Sequence, residues 1–135
     1  MRVCALPLLL VACSGPATLT DVQTDVFDRS CGFSSCHGST AGAGELDLTA
    51  GHAHASLVGV VPAGVDNTDP DLPAGVDVSG EILVIPGDPD NSYLMKKLAG
   101  ADGINGAAMP EGSPPIDPKL VDEIASWIEA GAADD

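Results

Sequence analysis

The sequence predicts a small, mainly α-helical domain built on a first and a last helix, with long Gly- and Pro-rich loops between them. Three observations support this. The last stretch carries one apolar stripe at helical spacing, Leu120, Val121, Ile124, Trp127 and Ile128, between an Asp117-Pro118 start and a Gly131 stop. A second helical pattern follows Thr20, where Val22, Val26 and Phe27 recur behind the N-terminal acids Asp21 and Asp25. The 16 Gly and 11 Pro make the remainder loop-rich, and Phe27, Phe33, Tyr93 and Trp127 are all the large rings a core can use.

The elements follow in chain order. Met1 to Ala12 reads as an export leader: one basic residue, Arg2, then an apolar run too short to span a bilayer. Its end, Leu10-Val11-Ala12-Cys13, resembles a bacterial lipobox, in which cleavage precedes the cysteine and Cys13 carries the lipid. Residues 13–19 are then a lipid-anchored tether and residues 20–132 the domain. Thr20 is the expected cap of a helix over 21–29, and Gly32 its breaker. Glu45-Leu46-Asp47-Leu48 alternates and suits a short extended piece, and His52 to Val61 suits a helix with a stretched exit. Residues 62–80, with three prolines and four aspartates, read as an exposed acidic loop. Glu81-Ile82-Leu83-Val84-Ile85 is the best strand candidate, leaving room for one short hairpin. Asp88 to Asn91 is a turn, and Asn91 or Ser92 caps a short helix through Tyr93, Leu94, Met95 and Leu98 to the Gly100 stop. Residues 101–116 form a loop holding Met109-Pro110, and the last helix starts from Asp117.

Charge and cysteines bound the function. The net charge of −15 becomes −16 once Arg2 leaves with the leader, so nucleic acid and anionic head groups repel the domain. Any partner drawn to it by charge should present a basic face. Cys31 and Cys36 are the only cysteines left in the mature domain beside the lipid-bearing Cys13. An exported compartment is oxidising, so they form either a disulfide or two thioether bonds. No Ser-His-Asp set, phosphate-cradling Gly loop or paired catalytic carboxylate stands out.

Residues 31–37, Cys-Gly-Phe-Ser-Ser-Cys-His, resemble the attachment site of a c-type haem. The order of motifs extends the resemblance. Ser30-Cys31-Gly32-Phe33-Ser34-Ser35-Cys36-His37-Gly38, Pro86-Gly87-Asp88-Pro89-Asp90-Asn91-Ser92-Tyr93-Leu94, Met109-Pro110 and Trp127-Ile128-Glu129-Ala130-Gly131-Ala132 stand in sequence over residues 20–132. Together they are similar to the cytochrome c-like domains of exported proteins of myxobacteria and planctomycetes. Four residues separate the cysteines where two are usual; four also occurs in some multihaem cytochromes. The resemblance implies orthogonal first and last helices and one haem c, held by thioethers from Cys31 and Cys36, with iron between His37 and Met109. His/Met ligation raises the reduction potential. The alternative is a haem-free relative with a Cys31–Cys36 disulfide and a structural or binding role. Either form is an exported lipoprotein of the cell envelope, and Ser14 after the lipid-bearing cysteine points to the outer membrane, facing periplasm or surface. Met95, inside a helical pattern, is expected to fill the core. His52 and His54 are expected to be solvated rather than metal ligands, and the aspartates of 66–90 to be a solvated loop rather than a calcium site.

Overall fold

The computed structural model describes residues 15–39, 43–63 and 80–135. The leader, Cys13 and most of the acidic loop at 62–80 lie outside these residues. The chain is helical, and the described residues contain no strand, only two isolated bridges, Gly38 with Asp47 and Val58 with Val84.

Helix α1 (Leu19–Val22) starts two residues earlier than the sequence suggests. Thr18 is its cap: the hydroxyl accepts from Asp21 N at 3.2 Å, and the Asp21 carboxylate accepts from Thr18 N at 2.9 Å. Thr20 could open the same reciprocal box with Gln23, three residues on. Gln23 is used elsewhere, because its amide donates to Leu48 O at 2.9 Å and to Asp28 Oδ1 at 2.6 Å. The chain continues without a break as a π-helical segment, Gln23–Cys31, closed by Gly32 N donating to Phe27 O at 2.7 Å. Val22, Val26 and Phe27 are buried along this run.

Helix α2 (Ala53–Leu57) exits through Val58, as its stretched ending predicts. Helix α3 (Tyr93–Ala99) stops at Gly100, in the left-handed conformation at φ 61°. Helix α4 (Pro118–Glu129) is capped by Asp117, whose carboxylate accepts from Lys119 N at 2.9 Å. Ile124, Trp127 and Ile128 of α4 are buried with Val22, Val26 and Phe27, and with Leu57 and Val84. Helix α1 packs on α4, and α3 packs on α4.

The candidate strand at 81–85 does not form. Leu83 N and Val84 N donate to Val60 O and Leu57 O, while the carbonyls of Ile82 and Leu83 accept from Tyr93 N and Leu94 N. Those two amides are among the orphan donors of a helix start. The run therefore pairs with 57–60 only through the single Val58–Val84 bridge, while the carbonyls of Ile82 and Leu83 cap α3. Ser92 completes the corner, accepting from Ile85 N at 2.9 Å and donating to Asp88 O at 2.8 Å. Alternation at 45–48 likewise yields a 3₁₀ turn, Ala43–Glu45, and a single bridge at Asp47.

The two ends of the domain are tied. Leu19 N donates to Asp135 Oδ1 at 2.9 Å and Thr20 N to Asp135 O at 3.0 Å. Trp127 Nε1 donates to Ala133 O at 2.9 Å, and His54 Nε2 donates to Ala132 O at 2.9 Å. No helix among the described residues is long and apolar enough to cross a membrane.

Candidate functional site

The π-helical segment delivers Cys31 at its last position, and the chain then turns back on itself. Cys36 N donates to Phe33 O at 2.9 Å, and His37 N donates to Cys31 O at 3.1 Å. Gly38 makes this turn possible: a Cβ there would lie 2.8 Å from the carbonyl carbon and oxygen of Phe33. Leu48 N donates to His37 O at 2.8 Å, and Gln23 holds Leu48 O from the other side. The loop is thus pinned to the first helix by a buried glutamine whose role has no motif in the sequence; its only signal was an amide on the apolar side of a helix.

Cys31, Cys36 and His37 are brought together in this loop. Both cysteines are free thiols; Cys36 is exposed and Cys31 is half-buried. Burial pushes the Cys31 thiol up to about 11, and a negative charge on neighbouring Cys36 adds to the rise. Nδ1 of His37 is buried and has no hydrogen-bond partner among the described residues. Leaving such a nitrogen unpaired costs about 1–3 kcal/mol. The site therefore holds two free thiols beside an imidazole whose hydrogen-bonding capacity the protein does not consume. This donor set fits covalent attachment of a haem. Phe33, between the cysteines, is 51% exposed, a large ring left on the surface of a domain that has few.

The chain matches no protein-family model, no curated protein and no solved structure. The functional reading therefore rests on the motifs and on this geometry.

Met109 lies in a separate stretch of the chain, beside α3. It is half-buried in the 101–116 loop, joined to Pro110 by a cis bond, and its amide donates to Lys97 O at 2.9 Å. Met95 packs against the hydrophobic core from α3, as expected. His52 Nδ1 lies 3.2 Å from Thr49 Oγ1 at the surface, while His54 is used on Ala132 O, so the two do not converge. No group of three or more His, Cys, Asp or Glu side chains among the described residues is arranged to hold a metal ion. The aspartates at 66–77 lie outside the described residues. Two clefts, of about 160 and 280 Å³, sit elsewhere, one between Leu46 and Leu83 and one beside Thr20 and Gln23.

Proposed function

We propose that the chain is a monohaem c-type cytochrome, an electron carrier held to the cell envelope by lipid on Cys13. The observation that carries the reading is the Cys31–His37 loop, with both thiols free and the His37 imidazole unspent. Cys36 and Cys31 would hold the haem through thioethers, His37 and Met109 would hold its iron, and bound haem would supply a one-electron iron couple. The protein's part is to fix these donors and limit water. Cys36 directly precedes His37, so attachment there sets the imidazole's place. With both His37 and Met109 spent on holding the group, neither would be left to act on a substrate, which favours a carrier over an enzyme. The proximity of the two thiols also suits the second reading, a disulfide-closed module without haem.

One experiment separates the two. The protein is coexpressed with a cytochrome c maturation system, denatured, and extracted with acidified organic solvent. Haem that stays with the polypeptide supports the cytochrome. Haem that leaves with the solvent, or a colourless protein two mass units lighter than the dithiol, overturns it.

A further inference from the structure

The two lysines of α3 are adjacent and do different things. Lys96 pairs with a carboxylate, its Nζ 2.7 and 2.9 Å from the two oxygens of Glu81. Among the described residues Lys97 makes no ion pair, although Glu111 is near enough to favour its charged form. Its Nζ donates to the backbone carbonyls of Asn105 at 2.7 Å and Ala107 at 2.5 Å. One turn earlier, the Tyr93 hydroxyl accepts from Asn105 N at 2.8 Å, and the Lys97 carbonyl accepts from Met109 N at 2.9 Å. Four hydrogen bonds thus run from one face of a seven-residue helix into the five residues that end at Met109. Tyr93 itself is buried and Gly100 lies close under the same loop, where a Cβ would meet the Ala108 side chain at 3.2 Å. The anchor is fixed, and the loop is held to it.

From this geometry we infer that Tyr93 and Lys97 are positioning residues for Met109, clamping the 105–109 loop so that the thioether is presented from a fixed backbone. The inference rests on the reading of Met109 as distal ligand. Gly106, Ala107 and Ala108 carry no polar side-chain group, so the contacts that tie this part of the loop to the helix run through its backbone. An ammonium is suited to this because its three donors can serve two carbonyls at once, and charge-assisted bonds are about twice as strong as neutral ones. A ligand held this way returns to its site quickly after it lets go, and an outside ligand then competes poorly.

The test uses the haem-loaded protein as purified. Oxidised wild type, Lys97→Met, Lys97→Arg, Tyr93→Phe and Met109→Ala are titrated with imidazole while the weak far-red iron–thioether band is followed, and deuterium exchange of the Met109 amide is measured in the same proteins. Lys97→Met keeps the stem and loses the donors; half-displacement should then need about tenfold less imidazole, as expected for losing charge-assisted hydrogen bonds. Lys97→Arg should restore most of the resistance, Tyr93→Phe should lose about threefold, and the Met109 amide should exchange faster in Lys97→Met. Met109→Ala should lack the band from the start. If Lys97→Met titrates and exchanges like wild type while Met109→Ala lacks the band, the clamp is wrong and the ligand reading stands. If Met109→Ala keeps the band, both are overturned.

Discussion

Cys31 and Cys36 sit five positions apart and differ in chemistry. The thiolate is the reactive form, and burial holds Cys31 protonated to about pH 11 while Cys36 is exposed. In protein made without haem, iodoacetamide at neutral pH should label Cys36 first, with Cys31 labelling rising only in strong alkali; peptide mass mapping reads the order. The same displacement affects stability. The folded Cys31 thiol titrates above its usual 9.0, so between about 9 and about 11 the unfolded chain has lost a proton that the folded chain keeps. Stability from this residue is present below pH 9 and falls as pH rises through that window. Cys31→Ala should flatten the fall in urea unfolding measured at pH 8 and in alkali, and an equally steep fall would show that other groups cause it. With haem present, Cys36→Ser should lower covalent attachment more than Cys31→Ser, because Cys36 precedes His37 directly.

Among the elements, α4 was the most legible and the 81–85 run the least. Helix α4 announces itself locally: Asp117 caps, Pro118 fits the first position, and Ile124, Trp127 and Ile128 fall on one face. Asp117→Ala should cost about 1 kcal/mol through the lost cap, and Ile128→Ala about 2–5 kcal/mol as a buried truncation. Chemical denaturation measures both; equal effects would mean that the cap and the core had been wrongly weighed. The 81–85 run has the composition of a strand, yet the carbonyls of Ile82 and Leu83 serve α3, and that use depends on where Tyr93 and Leu94 arrive in space. The Cys31–Gly38 turn is of the same kind. Gly38→Ala forces a Cβ onto Phe33 backbone and should cost roughly 1–3 kcal/mol, with loss of haem attachment beside it. Gly15→Ala meets nothing within 4 Å and serves as the neutral control.

Across the whole molecule, charge and a lipid on Cys13 would act at different ranges. At a net −15 the chain repels anionic surfaces, but screening confines this to about 8 Å at physiological salt. Acyl chains on Cys13 would outweigh it at any ordinary ionic strength. Cys13→Ser should therefore leave the protein in the soluble fraction or unprocessed. Wild-type protein that is soluble, with no added lipid mass, would show the lipobox reading to be wrong. Association with a basic redox partner should slow steeply as salt rises, since complementary charge acts mainly on the encounter rate.

Sequence alone determined the helical class, the ends of α3 and α4, the Asp88–Asn91 turn and the core residues Phe27 and Trp127, because each depends on neighbours within one or two turns. It also picked out Cys31, Cys36, His37 and Met109 as the residues to watch. Tertiary structure decided what holds them. Gln23 left the capping box to pin Leu48, Thr18 took the cap in place of Thr20, and Asp135 closed onto the start of α1. Lys97 turned from the acids to two carbonyls beside Met109. Each of these is a choice among polar partners that are equally available in the sequence, and distance in the folded chain makes that choice.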